Sequence, residues 1–111
     1  MIKGIGIDIV KISRIEATMA ENPRFISRIL TDLEKAESTE PEYVAGRWAA
    51  KEALVKAMKL VSFQSVSILS RTNGQKHEPH LIWHEELPDG TVWVSISHEE
   101  DIAIAQVIHE I

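Results

Sequence analysis

Between Pro41 and about Lys59 the chain carries a stretch that a small protein cannot leave on its surface. Set on a helix at about 100° per residue, the apolar and alanine positions of Arg47-Trp48-Ala49-Ala50-Lys51-Glu52-Ala53-Leu54-Val55-Lys56-Ala57 run almost all the way round. A helix that is apolar on nearly every side has to be wrapped by other elements. The segment has no interior proline and a single glycine, Gly46, and Pro41 sits where the first turn tolerates it. This is the longest helix of the chain, and the rest of the fold has to be arranged around it.

The flanking sequence supplies the wrapping. Residues 2–10 read as a strand with Ile5, Ile7 and Ile9 on one face and Gly4, Gly6 and Asp8 on the other. Three helical stretches follow: one around Ile12–Met19, one starting near Pro23 and running through Phe25, Ile26 and Ile29, and one after Thr31. Thr31 with Glu34 has capping-box spacing, and so does Thr39 with Glu42. Beyond the long helix the period changes from that of a helix to that of a strand. Val66 and Ile68 alternate with serines, Asn73-Gly74 marks a turn, and Leu81-Ile82-Trp83 is a short apolar run. After the turn Pro88-Asp89-Gly90, the segment Thr91–His98 alternates cleanly, with Val92, Val94 and Ile96 on one face. Residues 102–109 alternate again, Ile102, Ile104 and Ile108 opposite Ala103, Ala105 and Val107. Helices first and antiparallel strands after define an α+β domain with the long helix laid on a small sheet. With no repeat, linker or low-complexity tract in 111 residues, a single domain over 1–111 is expected.

Composition narrows the function classes. Apolar residues make up 44% and charged residues 26%, the balance of a folded soluble domain rather than a disordered tail. No apolar run approaches the roughly 18 residues that span a bilayer, and Asp8 breaks the N-terminal apolar stretch too early for a secretory signal. There is no cysteine, hence no disulfide and no thiolate metal site. The cytoplasm is the expected compartment. A net charge of -5 argues against general nucleic-acid binding. The charge is unevenly spread: residues 1–60 hold ten of the twelve Lys and Arg and nine of the seventeen Asp and Glu, leaving two bases against eight acids beyond. Basic residues kept in one half can present a local face to an anionic partner; scattered on helix surfaces, they are merely solvated.

Three places break the local pattern. Asp8 stands in the middle of an isoleucine-rich strand, either solvated on an open face or buried with a compensating cation. Gly4 and Gly6 on the same face leave room for a ligand or another backbone. Glu52 and Lys56 lie within about 40° of each other on the long helix, beside Ala45 and Ala49, as an ordinary i,i+4 surface pair or as functional groups that small neighbours leave open. His98 ends the apolar face of its strand, as a structural residue or as a ligand contact. His77, His80, His84 and His109 make no zinc-type spacing. Asp8 and Glu52, if they converge, suit a hard cation such as Mg²⁺, which takes one or two carboxylates and fills its octahedron with water and phosphate oxygens. Lys56, Arg47 and His98 would then face those phosphates.

These residues carry a resemblance. Gly4-Ile5-Gly6-Ile7-Asp8-Ile9-Val10, then Arg14-Ile15 and Arg28-Ile29-Leu30-Thr31 with Glu34, resembles the N-terminal signature of the holo-acyl-carrier-protein synthases. Arg47-Trp48-Ala49-Ala50-Lys51-Glu52-Ala53 with Lys56-Ala57 is similar to their second signature, and Ser95-Ile96-Ser97-His98 to their third. The resemblance implies a 4'-phosphopantetheinyl transferase, which moves phosphopantetheine from coenzyme A to a serine of apo-acyl carrier protein and releases adenosine 3',5'-bisphosphate. It implies Mg²⁺ held by Asp8 and Glu52, with Glu52 or Lys56 handling the serine proton. Lys56 would also neutralise charge near the transferring phosphate, and Arg47 and His98 would contact the nucleotide's phosphates. It further implies a homotrimer with active sites between subunits. The acidic carrier protein would be received by Arg14, Arg24 and Arg28, with Phe25 as the apolar anchor. Two departures stand out: Met58-Lys59-Leu60-Val61 occupies the place of the family's Gly-Thr-Gly, and its Gly-Lys-Pro turn is stretched to Gly74-Gln75-Lys76-His77-Glu78-Pro79. A non-catalytic module that keeps the fold and the carrier surface is the alternative function.

Overall fold

The structure is a computed structural model that describes residues 1–60, 62–73 and 76–111. Its elements are β1 (Ile2–Lys11), α1 (Ile12–Glu21), α2 (Phe25–Ile29), α3 (Asp32–Glu37), α4 (Pro41–Ala57), a 3-10 turn (Phe63–Ser65), β2 (Val66–Asn73), β3 (Lys76–Trp83), β4 (Thr91–Glu99) and β5 (Ile102–Glu110). The expected α+β architecture is present. β1, β5 and β4 form an antiparallel sheet in that order, so β1 and β4 are its two edges. β2 and β3 form a separate antiparallel hairpin. Of the turn expected at Asn73-Gly74, Gly74 and the following Gln75 lie outside the described residues, as does Val61.

The long helix is the hub. Val44, Ala45, Ala49, Ala50, Ala53 and Leu54 are fully buried, together with Val66 and Ile68 of the hairpin and Ala103 and Val107 of the sheet. α4 crosses the sheet obliquely. Gly46 near its start meets Ile96 of β4, while Ala53 and Ala57 near its end lie on Gly6 and Gly4 of β1. A Cβ on either β1 glycine would stand 1.9 Å from a carbonyl oxygen of α4. The room that the glycines leave is filled by the helix backbone, which therefore approaches the strand closely. α4 also ends earlier than its composition predicts: Met58 leaves it in an extended conformation and packs on the core with Leu60.

The two faces of the sheet are covered unequally. In β1 the covered side is that of Gly4, Gly6, Asp8 and Val10, and the isoleucine side is open, with Ile5, Ile7 and Ile9 60%, 54% and 61% exposed. The register carries this across the sheet. Asp8 pairs with Ala105, which pairs with Ile96, so Val92, Val94, Ile96 and His98 lie on the side that α4 covers. The uncovered side carries Ile5, Ile7 and Ile9, then Ile102, Ile104 and Ile108, then Trp93.

The caps differ in the same instructive way. Thr31 and Glu34 form the capping box of α3, each accepting the other's backbone N–H. Thr39 does not cap α4; its N-cap is Glu40, with no side-chain hydrogen bond. α1 is capped from outside, since the Asp101 carboxylate in the β4–β5 turn accepts the Ser13 amide at 2.8 Å and the Ser13 hydroxyl at 2.5 Å.

Candidate active site

Asp8 and Lys56 meet at β1, an edge strand of the sheet, and Glu52 lies one helical turn before Lys56 on α4. Asp8 points to the α4 side of the sheet and is largely buried. Lys56 Nζ lies 3.2 Å from Asp8 Oδ1 and donates to the Ile7 carbonyl at 2.8 Å. Asp8 is therefore the covered, compensated carboxylate of the two readings the sequence allowed. Glu52 is half-buried, and among the described residues it makes no hydrogen bond or ion pair. Two hard oxygen donors thus stand near an ammonium whose side chain is half exposed. Among the described residues no cluster of three or more His, Cys, Asp or Glu could enclose a metal by itself.

Arg47 and His98 are elsewhere. Asp8 and His98 belong to opposite edge strands of the three-stranded sheet, about 10 Å apart across two strand spacings. On α4, Arg47 projects from the flank opposite Glu52 and Lys56. Arg47 and His98 line one cleft of about 400 Å³ with Tyr43, Gly46, Ile96 and Glu42. None of Asp8, Glu52 or Lys56 reaches it. The single convergent pocket expected from sequence is thus two half-sites on the two sides of one helix.

Within that cleft Arg47 is already committed. Its Nε donates to the Ile68 carbonyl at 2.9 Å and its Nη2 to Ser70 Oγ at 3.0 Å. The guanidinium stacks 3.8 Å from the centre of the Tyr43 ring, and Glu37 lies 3.6 Å away. Tyr43 donates to Glu37 at 2.7 Å, and burial followed by that carboxylate pushes its hydroxyl well above the usual phenol range. Arg47 fastens α4 to the hairpin and shows one side to the cleft. His98 is freer: it is half-exposed, and its Nε2 lies 2.8 Å from Glu42 Oε1. Sequence spacing marks Glu42 as a capping partner of Thr39, so its pairing with His98, 56 residues further on, is a feature the pattern concealed.

The largest omission of the sequence reading is Lys51. It is fully buried, and so is its partner Glu34. Lys51 Nζ donates to Glu34 Oε1 at 2.6 Å, to the Ile29 carbonyl at 2.8 Å and to the Phe63 carbonyl at 2.8 Å. Glu34 also accepts the amides of Thr31 and Ile68. Burial pushes the Lys51 amine below its ordinary value, while Glu34 opposes that shift. The signal was available: a lysine inside a helix that is apolar all round has to find an internal partner.

Arg14, Arg24 and Arg28 are exposed, and among the described residues none forms an ion pair. Phe25 is half-buried, its ring 5.7 Å from that of Trp48, which in turn meets Phe63 edge-on. Phe25 is therefore an outer member of an aromatic cluster rather than a free-standing anchor.

The chain is similar along its whole length to known proteins. Residues 4–107 match a family model described as the 4'-phosphopantetheinyl transferase superfamily. A holo-[acyl-carrier-protein] synthase of Geobacillus sp. (strain WCH70) is 46% identical over 121 aligned positions, covering 99% of this chain and 98% of the relative. One from Listeria welshimeri is 44% identical over the full length of both. The crystal structure of a holo-(acyl-carrier-protein) synthase from Bacillus anthracis in complex with CoA (3',5'-ADP) matches with a TM-score of 0.81 and 38% identity, covering 98% of this chain and 96% of that one. The Helicobacter pylori synthase in complex with coenzyme A gives 0.79 and 32%, covering 96% and 99%. End-to-end identity at this level, on a shared fold, means that the chain belongs to the 4'-phosphopantetheinyl transferase superfamily, among its holo-[acyl-carrier-protein] synthases.

Proposed function

We propose that this protein, acting as one domain over residues 1–111, transfers 4'-phosphopantetheine from coenzyme A to the serine of apo-acyl carrier protein. The observation that carries the reading is the Asp8–Lys56 pair on the edge strand β1, with the half-buried Glu52 one helical turn before Lys56. A paired carboxylate, a carboxylate with no internal partner and an ammonium are what a pyrophosphate substrate calls for. The serine oxygen forms a new bond to the phosphorus that bears pantetheine, the bond from that phosphorus to the bridging oxygen breaks, and adenosine 3',5'-bisphosphate leaves. Glu52 is the base for the serine proton, with Lys56 as the second candidate. Lys56 otherwise neutralises charge at the transferring phosphate, and Arg47 and His98 take the nucleotide's phosphates.

Asp8 and Glu52 would hold Mg²⁺. Two carboxylates with open space beside them fit an ion that keeps its remaining positions for water and phosphate oxygens. When bound, such an ion polarises the phosphorus and stabilises the departing bisphosphate. The displaceable Lys56 leaves Asp8 accessible to it.

A homotrimer belongs to the same proposal. The two half-sites lie on opposite flanks of α4, so a complete site needs the Arg47–His98 cleft of one copy beside Asp8, Glu52 and Lys56 of the next. The open isoleucine face supplies apolar area for such packing. Exposed Arg14, Arg24 and Arg28, with Phe25 beside them, form a basic surface suited to an acidic carrier protein. We assign the work to the cytoplasm, in support of fatty acid biosynthesis; a chain without cysteine suits a reducing compartment.

Mass spectrometry of apo-acyl carrier protein incubated with this protein, coenzyme A and Mg²⁺ tests the activity. The carrier should gain one phosphopantetheine with the native protein and none with folded Asp8→Asn or Glu52→Gln. An unmodified carrier with the native protein would favour the non-catalytic module instead. Full activity of a folded Asp8→Asn protein would remove the metal assignment.

A further inference from the structure

We propose that Glu42 is a specificity-determining residue of this transfer: its carboxylate competes with the donor's 3'-phosphate for His98. The inference rests on the reading of His98 as a phosphate contact. With the pyrophosphate at Asp8 and Glu52, the phosphate left for a second cationic site is the 3'-phosphate. In the cleft, Arg47 is fixed by the Ile68 carbonyl, Ser70, Glu37 and the Tyr43 ring, so it meets a phosphate only with the side it already shows to the cleft. His98 can turn, because half of its side chain is exposed and, among the described residues, the side chain that holds it is Glu42, whose Oε1 lies 2.8 Å from its Nε2. Glu42 is itself 55% exposed and, among the described residues, has no other side-chain partner. Glu40 and Glu78 line the same cleft without pairing with His98.

The consequence follows from charge and mobility. An incoming 3'-phosphate displaces the Glu42 carboxylate from His98, so donor affinity is held below what the histidine alone would give. The bisphosphate product keeps that phosphate, and the same carboxylate reclaims His98 as the product leaves. Glu42 thereby weakens donor and product alike and favours turnover over retention of product.

Isothermal titration with coenzyme A, coenzyme A lacking its 3'-phosphate, and adenosine 3',5'-bisphosphate separates the possibilities. Glu42→Gln should bind coenzyme A and the bisphosphate about three- to fivefold more tightly, the range of an exposed ion pair, and leave the ligand without the 3'-phosphate unchanged. The gain should vanish in a His98→Ala background, and Glu40→Gln should not reproduce it. Unchanged or weaker binding by Glu42→Gln overturns the proposal, as does a gain that persists without His98 or appears equally in Glu40→Gln. The roles of His98 and Glu42 fail by different outcomes. If His98→Ala keeps its preference for the 3'-phosphate, the reading of His98 falls and takes the proposal with it. If His98→Ala loses that preference while Glu42→Gln changes nothing, only the role of Glu42 is lost.

Discussion

Lys51 and Glu52 are neighbours in sequence with opposite fates, and the difference is one of direction on the helix. Lys51 points away from the sheet, into the space between α2, α3 and the hairpin, where Glu34 and two carbonyls use all three of its protons. Glu52 lies about 100° further round the helix, half-buried, and among the described residues its side chain has no hydrogen bond or ion pair. A buried ion pair of this kind is costly to half-remove, because the survivor is left charged and unpaired. Lys51→Met should therefore lower stability by about 3–5 kcal/mol, read from the midpoint of a urea melt. A loss within a few tenths of a kcal/mol would mean that Glu34 finds another partner. The pair also ties α2, which carries Arg28, to the 3-10 turn, since Lys51 holds the Ile29 and Phe63 carbonyls at once.

At the scale of elements, the site depends on how closely α4 lies on β1. Lys56 reaches the Ile7 carbonyl only because Gly4 and Gly6 let the helix backbone down onto the strand. Gly6→Ala puts a methyl group against the Ala53 carbonyl, so helix and strand must separate. We expect a stability loss of about 3 kcal/mol, the upper end for an overpacked contact, and a lowered transfer rate in whatever remains folded; a thermal melt beside the carrier mass assay checks both. The cap of α1 is a second long-range joint. Two bonds from Ser13 hold the Asp101 carboxyl below the usual carboxylate range. A folded-state value depressed in this way contributes stability above the unfolded value, near pH 4, which is lost as pH falls through the folded one. The Tm difference between native protein and Asp101→Asn should thus be constant from pH 7 to about 5 and shrink toward pH 3. A difference that stays the same in acid would show that the carboxylate charge is not what caps the helix.

For the molecule as a whole, the open sheet face is the dominant fact. Its strands place Ile5, Ile7, Ile9, Ile102, Ile104, Ile108 and Trp93 together, and among the described residues no helix packs on that side as α4 does on the other. The alternation at Val92–Ile96 that called for cover finds it in α4, and the demand for a neighbour passes to the other side. Mixing inactive Glu52→Gln and His98→Ala proteins should restore part of the transfer activity if each site draws these residues from two copies. No recovery would assign them to one chain. Sedimentation of the active protein should give the trimer mass, and a monomer mass at full activity would defeat the shared site.

The periodicities alone determined the α+β class, the strand and helix order and the capping box at Thr31, and they marked Asp8, Glu52, Lys56 and His98 as places that break the local pattern. These are legible because hydrophobic period, capping distance and out-of-place charge are local properties of a chain. Alternation, however, separates two faces without saying which is inside. Ile5, Ile7 and Ile9 look like the core of β1, but the backbone of α4 fits only against the glycine side, so the isoleucines are turned out. Nor can spacing tell a cap from a contact. Glu42 stands three residues after Thr39 yet pairs with His98, and Arg47 is held by a hairpin that begins nineteen residues later. Which residues meet was decided by the crossing of one buried helix over a three-stranded sheet. That crossing divides the charged groups between its two sides, and it is a packing outcome that no local pattern encodes.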